Sequence, residues 1–389
     1  LSLYLAAHTL LRILANPFWL PVALGKMANL LKDTGVAGFK QYLFGEYLPR
    51  NYLLKTRYSL REPTPSVYEK VAPLLPDGFF RDKQAYSARG FTCKPRILVI
   101  RSGAMGDVLL ATPIIRKLHQ DREGYCEIDV VTRYPEVFAN SPYVRAVLTR
   151  KLLKKQRRAY DLIINLDMVL ERNKAVHVTD SYALYAHGVT DYDKQPELFP
   201  GEGDSAQVRA LTSGFVQGYI VAHNRRDPTQ AYRNVDETLW KQLLEDLSVY
   251  GLPILQVGLP GLDIALQGAG LMDFRNRLSL QQLQLLIADA RLFVGTDAGP
   301  LHVAATTSTP IVSFFTLAHH DARKPLRASM DERFIPITPE LDCYGCNQDN
   351  PLPWGGFSCR RGDNACSGAF SMDKARAACV HLGKLLDSL

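Results

Sequence analysis

Apolar and polar positions along this chain change pattern at residue 96. Residues 1–31 are apolar-rich, with Arg12 and Lys26 as their charged positions. Pro17 and Pro21 interrupt the run, so a clean spanning helix of about 20 residues is not expected there. A helical extension is expected instead, packed on the body or lying at a membrane surface. A basic start and a small-residue cleavage site are both lacking, so no secretory leader is expected. Residues 32–95 are mixed and loop-rich, with Tyr52, Arg57, Tyr58, Arg61 and Tyr68 interspersed.

From Arg96 onward, short β-branched runs alternate with helical stretches. Arg96–Arg101 (RILVIR) reads as a buried parallel strand. A glycine loop and a helix over Val108–Gln120 follow, then strands at Cys126–Thr132 and Asp161–Leu166. A second cycle places strands at Gly218–His223, Pro253–Gly258, Arg291–Gly295 and Pro310–Phe315. Its helices are expected at Thr238–Tyr250, Leu280–Ala290 and Leu301–Thr307. Two successive cycles of this kind predict paired doubly wound α/β domains with a cleft between them.

Composition narrows the class without naming a function. The chain has 389 residues, 47% hydrophobic and 22% charged. That is a folded chain of about two domains, not a disordered, collagen-like or coiled-coil one. Lys and Arg number 46 against 39 Asp and Glu, a net charge of +7. The excess favours an anionic partner such as a phosphate, a nucleotide or a membrane surface.

Three stretches could carry chemistry. Ser102-Gly-Ala-Met-Gly106-Asp107 joins a strand end to a helix start, where ligands of α/β sheets bind. Its spacing is not the G-x-G-x-x-G of dinucleotide binders, and Asp107 could equally serve as a first-turn helix charge. Gly295-Thr-Asp297-Ala298-Gly299-Pro300-Leu-His302 repeats the arrangement. Its backbone N–H groups suit a diphosphate, Asp297 suits ribose hydroxyls, and His302 either orients the loop or touches the ligand. Arg233, seven residues before Trp240, could neutralise a leaving pyrophosphate or simply be a solvated surface residue.

The run ILVIRSGAMGDVLLATPIIRKL resembles the opening motif of glycosyltransferase family 9, the heptosyltransferases of lipopolysaccharide core assembly. Arg101, Gly106, Asp107, Thr112 and Pro113 fit it. The run RLFVGTDAGPLHVAATTSTPIVSFF is similar to the family's second motif through Asp297, Gly299, His302, Ala304, Ala305 and Pro310. Ala298 departs from it, because the usual hydroxyl is missing. Arg233 stands where the family places a phosphate-binding Lys, with Val235 and Asp236 in place of Trp and Pro. Arg keeps that charge and adds bidentate geometry.

The resemblance covers about residues 96–385 and implies the GT-B architecture, two Rossmann-like domains facing a cleft. The implied divisions are a helical N-terminal extension (1–95), an acceptor domain (96–205) and a nucleotide-sugar domain (206–340). A Cys-rich segment and C-terminal helix (341–389) complete the chain. The implied activity is inverting transfer of a sugar, typically heptose, from an ADP-sugar without a catalytic metal. Asp107 would be the general base. Gly106, Arg233, Asp297, Ala298, Gly299, Pro300 and His302 would bind the donor, and Arg101 and Ser102 the acceptor. The acceptor would be an anionic glycolipid such as lipopolysaccharide core, or a protein. A transferase with another nucleotide-sugar donor, a nucleotide-sugar epimerase and a non-catalytic sugar-nucleotide-binding subunit remain as alternatives.

Cys343, Cys346, Cys359 and Cys366 supply four thiols with a Cys-x-x-Cys first half, a set that suits structural Zn or Fe. Disulfides or unpaired thiols are the other readings, and a cytosolic setting disfavours disulfides. Arg150–Arg158 (RKLLKKQRR) reads as a solvated helix face or as a contact for anionic head groups. With no accompanying nucleic-acid motif, RNA or DNA is not expected as a partner. The expected location is cytoplasmic, peripheral to the inner face of the inner membrane.

Overall fold

A computed structural model describes residues 94–149, 159–167, 169, 176–188, 190–260, 270–327, 330–347, 359 and 361–385. The expected extension up to residue 93 and the basic run at 150–158 lie outside the described residues. Among the described residues, no helix is long and apolar enough to cross a membrane.

The first sheet holds β1 (Arg96–Ile100), β2 (Glu127–Val131), β3 (Ala146–Leu148) and β4 (Leu162–Asn165). All pair in parallel, in the order β3-β2-β1-β4. Ile97, Leu98 and Val99 of β1 are fully buried, as expected of a strand covered on both faces. The expected helix after β1 is two helices, α1 (Met105–Leu109) and α2 (Thr112–Gln120). Pro113 sits in the first turn of α2, where its missing N–H costs nothing. Thr112 Oγ donates to the Leu109 carbonyl at 2.8 Å and ties the two helices together. Further along the chain lie α3 (Val178–Ala186) and α4 (Glu202–Thr212), which runs through the expected domain boundary at 205/206.

The second sheet comprises β5 (Ile220–His223), β6 (Ile254–Gln256), β7 (Leu271–Asp273), β8 (Leu292–Thr296), β9 (Ile311–Phe314) and β10 (Phe334–Ile337). It is wholly parallel, ordered β10-β9-β8-β5-β6-β7. Numbered from β5, this is the doubly wound order 3-2-1-4-5-6. The helices α5 (Glu237–Ser248), α6 (Leu280–Ala288), α7 (Gly299–Ala304), α8 (Met330–Arg333) and α9 (Met372–Gly383) complete the described elements of this half. Asp236, in the family's Pro position, caps α5 by accepting from Thr238 and Leu239 N–H. A cap of this kind contributes about 1 kcal/mol. Trp240 is fully buried edge-to-face on Phe314, at 5.6 Å between centroids. The architecture is GT-B, two parallel α/β sheets facing one another.

The halves meet through α1 and α7, and one apolar cluster runs from Val99 and Leu109 to Leu301 and Val303. A Cβ at Gly106 would lie 2.5 Å from His302 Cδ2 and 3.5 Å from Gly299 Cα. Glycine is therefore required at 106 by close approach of two helices, in addition to any ligand. Two polar bridges flank that contact. Gln281 Nε2 donates to the Glu136 carbonyl at 2.6 Å. His177 Nε2 donates to the Lys324 carbonyl at 2.8 Å, while its Nδ1 accepts from Thr179 N–H.

Candidate active site

Both sheets reverse strand order beside their first strand, β1 against β4 and β5 against β8. The carboxyl ends of those strands open a crevice where ligands of such sheets bind. The loops after β1, β4, β5, β8 and β9 supply polar residues of the site.

On the first sheet, Arg101 follows β1 and is only 2% exposed. Its Nη2 donates to Asp107 Oδ2 at 2.8 Å, and its Nη1 lies 3.4 Å from Asp167 Oδ1. The Tyr182 ring lies 5.5 Å beneath the guanidinium. Arg101 thus orients the Asp107 carboxylate and presents almost no surface to an acceptor. Ser102 donates its N–H and its hydroxyl to Asp167, at 2.8 and 2.5 Å. Asp107 itself stands in the first turn of α1, its side chain 15% exposed. The sequence motif holds one carboxylate, and the fold brings Asp167, two residues past β4, to it.

On the second sheet, Asp297 follows β8 and is 8% exposed. Arg233 Nη2 donates to the Asp297 carbonyl at 2.7 Å and lies 3.5 Å from its carboxylate. Burial would raise the Asp297 carboxyl, but Arg323, Arg233, His302 and Arg225 outweigh it and hold the group below its usual range. His302, in α7, is 3% exposed and packed against Gly106. Burial lowers its imidazole below the ordinary value. Ala298 and Pro300 open α7, which has six residues rather than the expected span to Thr307. So short a helix has little macrodipole, and the attraction for an anion rests on the arginines and free N–H groups.

Two residues stand out that sequence reasoning passed over. Asn224, directly after β5, is fully buried, and both its amide oxygen and nitrogen lack hydrogen-bond partners. Asp297 Oδ1 and His302 Nδ1 are buried without partners as well. Orphaned polar groups are rare in folded interiors and mark places where a ligand or water bonds. Arg323 reaches the crevice from the loop after β9. Its Nη1 lies 3.9 Å from Asp107 Oδ1 and its Nε 4.0 Å from Asp297 Oδ2. Neither residue sits in a recognisable motif, so only the topology could have found them.

Cys366 lies beside the loop of Arg233, its Sγ 3.8 Å from the Tyr232 carbonyl. Burial pushes the Cys366 thiol up to about 12, and Cys346, Cys359 and Cys343 add to the rise. Among the described residues, no three of these thiols lie within 4.8 Å of one another. A group gathered within 4.8 Å among the described residues is a different one, His319, His320 and Asp321. Lys324 Nζ already bonds Asp321 there, at 3.2 Å. Tyr344, between Cys343 and Cys346, accepts from His320 N–H at 2.8 Å. Asp236 N–H donates to the Ser367 carbonyl at 2.8 Å, beside Cys366. The thiol segment therefore braces both arginine-bearing loops.

Comparison with known proteins agrees with the resemblance seen in the motifs. The model of glycosyltransferase family 9 (heptosyltransferase) matches residues 265–343. Lipopolysaccharide heptosyltransferase 3 of Escherichia coli is 24% identical, over 61% of this chain and 90% of that protein. Three solved structures share the fold. A family 9 glycosyltransferase of Veillonella parvula superposes with a TM-score of 0.59 at 16% identity, covering 76% of this chain and 99% of its own. The iron-containing heptosyltransferase TibC of enterotoxigenic E. coli, in complex with ADP-D-beta-D-heptose, gives 0.57 at 16%, covering 75% and 77%. ADP-heptose heptosyltransferase II of E. coli gives 0.53 at 15%, covering 75% and 99%.

Proposed function

We propose, from the premise that the chain is of the glycosyltransferase family 9 kind, that it moves a heptose from an ADP-activated donor to a lipopolysaccharide-core or related glycolipid acceptor. The observation that carries this reading is the facing of two carboxylate–arginine centres across one crevice: Asp107 with Arg101, and Asp297 with Arg233.

Asp107 acts as the general base. The acceptor oxygen attacks the anomeric carbon as its proton passes to the Asp107 carboxylate. The bond from that carbon to the diphosphate oxygen breaks, and the electron pair leaves with ADP. Attack from the face opposite the leaving group inverts the anomeric centre. Arg101 holds the base in one orientation, so its rotamer need not be frozen during the reaction. Arg233 and the N–H groups after Asp297 neutralise the charge that grows on the diphosphate. Charge neutralisation by fixed cations is the role that a divalent ion fills in other sugar transferases. Asp297 and Asn224 are placed to accept from and donate to ribose or base atoms.

The four cysteines would hold a structural Zn or Fe ion, whose contribution is to brace the loops of Arg233 and Tyr344. The reaction would run at the inner face of the inner membrane, where a glycolipid acceptor is presented. Calorimetric titration of the purified protein with ADP, UDP, GDP and CDP tests the donor class. Selective ADP binding supports the reading. A preference for another nucleotide keeps the fold and overturns the heptose donor.

A further inference from the structure

The loop after β9 gathers metal-ligating side chains apart from the cysteines. His319, His320 and Asp321 each bring a ligand atom within 4.8 Å of the others. Asp321 is the hub. Its Oδ2 lies 3.5 Å from His319 Nδ1, and its Oδ1 lies 3.6 Å from His320 Nε2. A cation about 2.0–2.1 Å from each ligand of a tetrahedral site holds the ligand atoms roughly 3.4 Å apart. Both separations are close to that spacing.

Local structure brings the three consecutive residues together. A short 3-10 turn spans His320–Ala322, and His319 caps it, its Nδ1 accepting from Asp321 N–H at 3.3 Å. The cap folds the His319 ring over that of His320, 4.6 Å between centroids and 23° from parallel. Tyr344 holds the second ring, because its Oη accepts from His320 N–H at 2.8 Å and lies 3.2 Å from His320 Nδ1. His320 Nε2 is thereby the nitrogen turned towards Asp321. Lys324 Nζ, 3.2 Å from Asp321 Oδ1, orients the carboxylate. Histidine and carboxylate ligands of metal ions are commonly held by outer partners of this kind. The side chains of His319, His320 and Asp321 are 31%, 26% and 28% exposed, so an ion reaches them from solvent.

We propose that His319, His320 and Asp321 form a binding site for a divalent transition-metal ion such as Zn²⁺ or Co²⁺, separate from the thiols. Two imidazoles and a carboxylate suit these ions and disfavour Mg²⁺ and Ca²⁺, which take oxygen ligands. Coordination at His319 Nδ1 replaces the long bond from Asp321 N–H, a small loss against a metal–nitrogen bond. Three protein ligands without a thiolate hold the ion less tightly than four thiolates would. The site therefore fills with added metal and empties on dialysis. Arg323 lies two residues beyond Asp321, so a bound ion stiffens the turn that leads into it and adds positive charge there.

The test titrates Co²⁺ into the dialysed full chain and follows its absorption, with thermal melting in the absence of metal as the control for folding. Co²⁺ on thiolates gives a sulfur-to-metal charge-transfer band in the near ultraviolet. Co²⁺ on imidazole and carboxylate gives visible bands without it, so the two kinds of site are counted separately. The wild type should bind about one equivalent of the second kind. Outer partners alone are worth about tenfold to a hundredfold in metal affinity. Loss of a ligand in His320→Ala or Asp321→Asn should therefore weaken this equivalent by about a hundredfold or more, with any sulfur band unchanged. Unchanged affinity in both variants overturns the proposal. A wild-type chain with no such equivalent also overturns it and leaves the cluster as a structural cap.

Discussion

Ser102 donates two hydrogen bonds to Asp167, one from its N–H at 2.8 Å and one from its hydroxyl at 2.5 Å. Arg101, next in the chain, leans on the same carboxylate while holding Asp107. Asp167 is therefore a positioning residue for the base. Asp167→Ala should leave nucleotide binding within about twofold and cut sugar transfer about tenfold to a hundredfold, because misorientation alone costs that much. Paired titration and turnover measurements separate the two. Equal losses in both would indicate a general structural role.

Gly106 and Gly299 face opposite halves of the same helix contact but should respond differently to alanine. At Gly106 the added methyl meets the buried His302 ring at 2.5 Å. At Gly299 it meets Met105 Cε at 2.6 Å, the far end of a flexible side chain. Gly106→Ala should cost about 1–3 kcal/mol, the usual range for overpacking, and Gly299→Ala less. Denaturant midpoints of the two variants decide it.

Acid should weaken the junction between the domains. Burial lowers the His177 imidazole to about 4 from an ordinary 6.5. Its neutral form accepts from Thr179 N–H and donates to the Lys324 carbonyl. The folded pKa lies below the unfolded one, so the unfolded chain binds the extra proton between these values. The stabilisation is complete above about pH 6.5 and is lost as pH falls towards 4. The loss is of order 3 kcal/mol. His177→Gln should be less stable at pH 7.5 and show a flatter decline of melting temperature between pH 6.5 and 4. A decline as steep as the wild type's would assign the acid sensitivity elsewhere.

The cysteine set makes a prediction independent of catalysis. Elemental analysis of the purified protein should find about one equivalent of Zn or Fe, the content of a single four-thiolate site. Cys366→Ser should lower that content, and chelation should lower the melting temperature. A metal-free wild-type protein would return the cysteines to ordinary reduced thiols.

Much of this was legible in the sequence, for reasons that differ by residue. β1, β8 and β9 are buried on both faces, and their short apolar runs announce it. Asp107, Asp297 and Arg233 stand in motifs with fixed spacing. The three-residue strands Ala146–Leu148 and Leu271–Asp273 give too little pattern to read. Leu271–Asp273 even exposes most of its residues. Asp167, Asn224 and Arg323 lie in loops without motifs, and strand order alone brings them to the crevice. The family resemblance implies an acceptor role for Arg101. Its burial between two carboxylates is a long-range contact that no local pattern encodes.

The most direct test of the central claim is sugar transfer by Asp107→Asn. Wild-type protein is supplied with ADP-heptose and a heptose-deficient lipopolysaccharide core, and product is read by mass spectrometry. The wild type should add one heptose and release ADP. Asp107→Asn keeps the side-chain shape and should melt like the wild type and bind ADP, yet transfer about a hundredfold to ten-thousandfold more slowly. Transfer by the variant at near wild-type rate would contradict the assignment of Asp107 as base and of this crevice as the active site.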